Sequence, residues 1–107
     1  MIRIFKYPIT PGEATQEIDV PFGSVAISGG LDANGQLCVW MSVDDKQEQI
    51  EKRLIYCIGT GWPLDLIIKD DYPNFDHLAT VADGPYVWHL FDGGVKMEKY
   101  EEDLCKC

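Results

Sequence analysis

Residues 34–43 read NGQLCVWMSV, which joins a turn signal to a run of mostly apolar residues. Asn34-Gly35 is the dipeptide that most strongly signals a short β-hairpin, because it tolerates the backbone angles of a tight turn. One face of the alternating run after it is wholly apolar: Leu37, Val39, Met41 and Val43. The other face is largely apolar too, with Cys38 and Trp40. A strand that is buried on both faces lies inside a sheet, so we predict a central strand over residues 36–43.

Period-two alternation and turn residues continue through most of the chain. The other predicted strands are residues 2–7, 17–20, 24–28, 54–58, 78–82 and 86–91. Asp83-Gly84-Pro85 is short enough to join the last two strands as a hairpin. Six or seven short strands at this spacing predict a mainly β fold, a small antiparallel β sandwich or barrel with at most one short helix.

Residues 44–53, DDKQEQIEKR, separate the central strand from the next strand. Acidic residues at the start and basic residues at the end would suit a helix dipole. Ile50 is the only apolar residue, however, so a helix here would have no stripe with which to dock. We predict a solvated loop, with a short helix as the alternative.

The length of 107 residues suits one domain. We predict a single β domain over residues 1–94 and an acidic, mobile C-terminal tail over residues 95–107. No apolar run approaches the roughly 18 residues of a membrane span, and the first residues do not resemble a signal peptide. We therefore expect a cytoplasmic protein without a membrane partner.

The charge of the chain disfavours one class of partner. It has 18 acidic and 9 basic residues, for a net charge of −9, whereas nucleic-acid binding depends on basic patches. We expect no direct nucleic-acid contact, and a basic protein surface is the allowed alternative. The charge could also serve solubility alone. The predicted acidic surface consists of Asp44, Asp45, Asp70 and Asp71.

The four cysteines do not have the spacing of a metal site. Cys38 and Cys57 lie in apolar strand-like runs, so we expect buried thiols that act as small apolar side chains. Cys105 and Cys107 form a C-x-C at the C-terminus without the second ligand pair that zinc requires. We predict neither a metal nor a cofactor.

The candidate ligand or partner contacts in the loop after residues 54–58 are Gly59, Thr60, Gly61 and Trp62. Successive N–H groups in such a glycine turn can bind a phosphate. Pro63 donates no N–H, however, and no lysine adjoins the turn, so we favour a sharp bend over a phosphate cradle. Trp62 could stack on a ligand ring or a partner side chain, and the alternative, which we favour, is a cap over the end of the β fold.

Two histidines complete the candidate residues. His89 lies in YVWHLF, in phase with Val87 and Phe91, which predicts a half-buried, hydrogen-bonded imidazole in a strand. We group it with the glycine loop as a candidate contact. His77 follows Asp76 at a strand start, and we expect it to face solvent. Neither histidine accompanies a recognisable nucleophile elbow, so we assign no catalytic residue and expect no enzymatic activity.

Three blocks together resemble a family of small, β-rich proteins of bacteriophages and prophages whose function is uncharacterised. They are GQLCVWMSVDD at 35–45, RLIYCIGTGWPL at 53–64 and LATVADGPYVWHLFD at 78–92. The shared pattern is G-x-L-C-x-W-x-x-V-D, then G-T-G-x-P, then T…G-x-x-V-W-H-x-F, and it covers about residues 1 to 92. Trp62 departs from the small polar residue or histidine expected before the proline.

The resemblance implies a viral protein in the cytoplasm of a bacterial host, and it brings no catalytic residues. We therefore expect a non-enzymatic accessory protein whose acidic surface inhibits a bacterial defence protein, for example one that binds nucleic acid. One alternative is a binder that sequesters a nucleotide immune signal at residues 59–62 and His89. A second is a structural or housekeeping phage protein. An exposed strand edge could also pair two copies as a homo-oligomer.

Overall fold

The computed structural model describes residues 1–97, which form seven strands and one short helix. The strands are β1 (Ile2–Pro8), β2 (Thr15–Pro21), β3 (Val25–Leu31), β4 (Leu37–Asp44), β5 (Ile50–Gly59), β6 (Asp76–Asp83) and β7 (Tyr86–Val95). The helix α1 (Leu64–Ile67) lies in the connection from β5 to β6. The predicted mainly β class, with one short helix, is confirmed. No helix in residues 1–97 is long and apolar enough to cross a membrane.

The strands form two antiparallel sheets that pack face to face. One sheet has the order β1-β4-β3, and the other has the order β2-β5-β7-β6. Their facing sides meet in a core that includes Val39 and Met41 from one sheet and Ile55, Cys57 and Leu90 from the other. Of the two predicted architectures, the structure is a β sandwich.

The hairpin between β3 and β4 forms where residues 34–43 predict it. Gly35 has a φ of +78°, and the Asp32 carboxylate accepts hydrogen bonds from the backbone N–H groups of Asn34 (2.8 Å) and Gln36 (2.9 Å). β4 then runs between β1 and β3 as the central strand of its sheet. Leu37 and Cys38, from its two faces, are both buried, as the sequence predicts.

β5 begins earlier than the sequence predicts. Its first four residues, 50–53, pair with β2, whereas the sequence predicts that they belong to the polar loop. The loop is confirmed only for residues 45–49, and no helix forms anywhere in residues 44–53. Of these four residues only Arg53 is buried, and it is buried through ion pairing, which hydrophobic periodicity does not detect.

The Arg53 cluster is a buried ionic group at the end of the sandwich where β5 begins. The Arg53 guanidinium lies 3.1 Å from the carboxylates of Asp92 and Glu51 and also donates to the Ser24 carbonyl. The Asp92 carboxylate additionally accepts a hydrogen bond of 2.8 Å from the Gly94 N–H. Both terminal nitrogens of the Arg53 guanidinium are thereby paired inside the fold, whereas its buried Nε has no hydrogen-bond partner among the described residues.

Residues 60–75 fold back over the outer face of the four-stranded sheet. The Phe75 ring stacks on Phe91 at 4.0 Å between centroids and contacts Tyr56 edge-on at 5.1 Å. The Tyr56 hydroxyl accepts a hydrogen bond of 3.0 Å from the Lys69 N–H. This connection buries β5 on its second face, so the sandwich has a small third layer there.

Tyr72 fastens the same connection to β2, and this contact gives a testable titration. Its hydroxyl donates a hydrogen bond of 2.6 Å to the Glu17 carboxylate. This hydrogen bond is the main cause that raises the pKa of Tyr72 to about 12. Because the folded-state pKa is raised, the contact stabilises the fold below pH 10, and the contribution is lost as the pH rises toward 12. We expect Glu17→Gln to return the Tyr72 pKa toward 10, measured by tyrosinate absorbance with Tyr72→Phe as the assignment control. An unchanged titration in Glu17→Gln would rule out this carboxylate as the cause.

The last strand passes the predicted end of the β domain. β7 continues to Val95, one residue past the predicted domain end, and the Met97 N–H donates to the Asp71 carbonyl at 2.8 Å. Residues 98–107, which hold most of the predicted mobile tail with Cys105 and Cys107, lie outside the described residues.

Candidate functional site

The loop at residues 59–62 makes a sharp bend after β5. Gly61 has a φ of +90°, and the Trp62 N–H donates to the Gly59 carbonyl at 3.1 Å. Gly59 is glycine for a different reason: a Cβ there would lie 2.7 Å from two atoms of the Trp62 indole. One glycine therefore permits the turn, and the other lets the indole approach the backbone.

Three aromatic side chains, Trp62, Tyr86 and Trp88, form what we call the aromatic end. The Trp62 ring stands nearly perpendicular to Trp88, at 79° with 5.9 Å between centroids. The Tyr86 ring lies nearly parallel to Trp88, at 21° and 5.6 Å. Both geometries are favourable for aromatic pairs. Trp62 thus covers the strand end, as the favoured interpretation predicts, while 36% of its surface stays exposed.

Strand pairing explains why these side chains meet. Gly59 at the end of β5 is directly opposite Trp88 in β7. Tyr86 precedes Trp88 by two residues and so points to the same side of the sheet. Trp88 is only 7% exposed, whereas Tyr86 is 60% exposed. The aromatic end therefore has a buried base, and its outer wall is open to solvent.

The aromatic end lines a shallow groove of about 390 Å³. Its remaining lining residues are uncharged: Gly59, Thr60, Pro85 and Val87. The indole Nε1 of Trp88 is buried and has no hydrogen-bond partner among the described residues. The groove therefore offers apolar and aromatic surface rather than charge.

His89 lies on the other face of the same sheet and contacts hydroxyl groups. Its Nε2 is 2.7 Å from the Thr60 hydroxyl, and its Nδ1 is 3.1 Å from the Thr80 hydroxyl. Thr80 also contacts Nε2 of His77 at 3.0 Å. His89 is half-buried and His77 is exposed, as the sequence predicts. A second pocket, of about 260 Å³, lies beside His89 and shares the residues 59–62 loop with the groove.

The threonine hydroxyls limit the possible arrangements of this hydrogen-bond chain. A threonine hydroxyl has one proton and two acceptor sites, so Thr80 can donate to only one of the two imidazoles while accepting from the other. Neither ring nitrogen of His89 contacts a carboxylate of the described residues. The arrangement orients the imidazole and ties β5, β6 and β7 together. Residues 1–97 contain no group of three His, Cys, Asp or Glu side chains placed to hold a metal ion.

The predicted acidic residues lie away from the aromatic end. Asp44 ends β4 and Asp45 follows it, near the start of β5. Asp71 lies 3.5 Å from Lys96, and Asp70 precedes it in the same connection. β5 has ten residues, so its two ends are separated by about 30 Å.

Local cations partly neutralise these acids. The Met1 amino group lies 3.3 Å from Asp44 and 3.2 Å from Asp45. Asp45 also pairs with the Arg3 guanidinium, whose hydrogen bond is the main cause that lowers the pKa of Asp45. The structure therefore does not join Asp44, Asp45, Asp70 and Asp71 into one site with residues 59–62.

The buried thiols, Cys38 and Cys57, carry little chemistry of their own. Both are fully buried, as predicted, and burial raises the pKa of each. A raised pKa suppresses the thiolate, which is the reactive form. They are therefore core side chains.

Sequence reasoning missed Tyr86, Trp88 and Thr80 as members of the candidate site. The signal was available in part, because Tyr86 and Trp88 share one face of a predicted strand. Their approach to residues 59–62 depends on the pairing of β5 with β7. No short turn joins those two strands, so the local sequence did not reveal their register.

Comparison with known protein families matches this chain to an uncharacterised domain. The family is described as "Domain of unknown function (DUF7352)", and the match covers residues 1–100. No curated protein and no solved structure matches the chain. The match spans both sheets, the residues 59–62 loop and the aromatic end. The chain therefore belongs to the DUF7352 family of uncharacterised domains.

Proposed function

We propose that the protein acts by binding a partner protein, without making or breaking covalent bonds, and that the aromatic end is its contact surface. The observation that supports this most is the groove between Trp62, Tyr86 and Trp88. Tyrosine and tryptophan are enriched among the residues that dominate binding energy at protein interfaces. A buried base beneath a partly exposed wall gives these rings fixed positions before a partner arrives, which lowers the entropy cost of binding.

The groove suits a protein better than a nucleotide signal. A bound phosphate needs a cation or several free backbone N–H groups. The groove lining contains no lysine or arginine, and the Trp62 N–H already bonds the Gly59 carbonyl. With a net charge of −9, the chain also repels anions at long range. Nucleotide sequestration is therefore the weaker proposal.

A bacterial defence protein is the partner class that we propose, from the resemblance to phage and prophage proteins. In this proposal the acidic residues speed encounter with a basic partner, because long-range attraction raises association rates. Asp44, Asp45 and Asp71 make local ion pairs, so we assign the specific contact to the aromatic end. Pairing of two copies through an exposed strand edge stays a prediction.

Capture of a partner from bacterial lysate tests the proposal with two matched variants. Tyr86→Ala removes a 60% exposed ring from the groove, and Phe22→Ala removes a 56% exposed ring near the start of β5. We expect Tyr86→Ala to weaken binding of the captured protein by at least about tenfold, as for an interface hot spot, and Phe22→Ala to leave it unchanged.

In the same experiment, the salt concentration separates the long-range attraction by the acidic residues from the contact through the aromatic end. Raising the salt concentration should slow association and leave dissociation nearly unchanged, because screening acts on long-range attraction. A complex indifferent to salt would defeat the role of the acidic residues. A complex that is unaffected by Tyr86→Ala, or lost equally with Phe22→Ala, would defeat the aromatic contact surface.

A further inference from the structure

We propose that the groove of the aromatic end receives a cationic side chain, arginine or lysine, of the partner protein through cation–π contacts. This inference rests on the proposed function and names the chemistry of the group that the site recognises. The negative face of an aromatic ring attracts a cation placed within about 6 Å of the ring centroid. Sites with several ring faces in different orientations use this attraction to select cations over neutral groups.

The rings of the aromatic end lie in more than one orientation around the groove. Tyr86 and Trp88 lie nearly parallel, and Trp62 stands nearly perpendicular to Trp88. All three rings line the groove, so one small group in it can contact more than one ring. The groove volume of about 390 Å³ accommodates a side chain that enters from solvent.

The charges around the groove favour a cation over a neutral or anionic group. No lysine or arginine lines the groove, so an entering cation meets no like charge from its walls. Asp83 pairs directly with Tyr86 across β6 and β7, and side chains of directly paired residues project from the same face of a sheet, so a carboxylate neighbours Tyr86 just outside the groove lining. The net charge of −9 adds long-range attraction. An aliphatic side chain would use the apolar walls but would gain nothing from Asp83.

Two capped peptides that differ only in charge provide the test. Ac-Gly-Arg-Gly-NH2 is titrated into the isotope-labelled full chain, and Ac-Gly-Cit-Gly-NH2, with neutral citrulline, is the control. In NMR spectra, the chemical shifts of the indole N–H signals of Trp62 and Trp88 report occupancy of the groove. We expect the arginine peptide to shift these signals and the citrulline peptide to bind about tenfold more weakly.

Variants at Tyr86 and Asp83 separate ring electrostatics from packing. Tyr86→Phe keeps an aromatic face and should retain binding of the arginine peptide, whereas Tyr86→Leu keeps apolar bulk and should weaken it several-fold. Asp83→Asn should weaken it as well, with a smaller effect at high salt. Tyr86 is largely exposed, so the two Tyr86 substitutions leave the fold intact.

The outcomes separate this inference from the proposed function. Equal binding of the two peptides, or no shift of the Trp62 and Trp88 signals at saturating arginine peptide, overturns the cation inference. If Tyr86→Ala still abolishes capture of the partner protein, the aromatic contact surface stands and its occupant is a neutral side chain. A shift of the same signals that depends on protein concentration, without any peptide, would identify a second copy of the chain as the occupant. That result would also overturn the cation inference.

Discussion

Replacing Arg53 by methionine is expected to lower the free energy of unfolding by about 3–5 kcal/mol. The Arg53 guanidinium is buried with the carboxylates of Asp92 and Glu51, each 3.1 Å away. Methionine fills a similar space but leaves two largely buried carboxylates without their cation. The loss reflects this uncompensated charge, since the intact ion pair itself adds little over a well-packed apolar pair.

Urea unfolding measures this effect, and Lys52→Met is the matched control. Lys52 is adjacent in β5, and its ammonium lies 2.9 Å from Asp19, but both side chains are well exposed, at 65% and 64%. Exposed pairs contribute at most about 1 kcal/mol. We also expect Arg53→Met combined with Asp92→Leu to recover part of the loss. Equal destabilisation by Arg53→Met and Lys52→Met would contradict a buried ionic cluster.

Leu90→Ala is expected to destabilise the fold by about 2–5 kcal/mol. Leu90 is fully buried in β7 and packs between the two sheets. The side chain also reaches Gly29 in β3, where an added Cβ would collide with Leu90 Cδ1 and lie 3.6 Å from the Ala79 Cβ. Truncating Leu90 therefore opens a cavity at the junction of β3, β6 and β7.

Gly29→Ala gives a second test of the same contact, and the size of its effect depends on Leu90. In the wild-type chain we expect a loss of about 1–3 kcal/mol, because the new methyl group overpacks the core. In the Leu90→Ala background the collision with Leu90 is gone and the tightest remaining contact is the Cys38 carbonyl oxygen at 3.3 Å, so Gly29→Ala should cost less. The coupling energy from a double-mutant cycle measures the difference. Additive losses would show that the two residues do not touch.

The sequence predicts the elements of this fold better than their limits. β4 carries its apolar residues on both faces, and its hairpin carries Asn34-Gly35, so local chemistry is sufficient there. The start of β5 was missed because Arg53 is a charged residue inside the core, and its partner Asp92 is 39 residues away. Burial that depends on a distant ion pair leaves no periodic trace in the local sequence.

The parts of the candidate site that depend on local sequence could be predicted, and the parts that depend on strand pairing could not. The bend at residues 59–62 and the half-buried His89 follow from glycine chemistry and strand phase, both local. The stacking of Trp62 over Gly59 and its approach to Trp88 follow from the register of β5 with β7. The sequence predicts Asp44, Asp45, Asp70 and Asp71 as an acidic surface. Their distance from the aromatic end depends on the tertiary fold, which places them toward the start of β5 rather than its end.

Hydrogen exchange of the complex with its captured partner tests the central claim most directly. The claim is that the protein acts by contact through the aromatic end, as proposed above. It predicts slower exchange on binding at the backbone amides of residues 60–62 and 86–88, with residues 44–45 and 70–71 unchanged. Protection confined to residues 44–45 and 70–71, with the amides around Trp62 and Tyr86 unaffected, would contradict it.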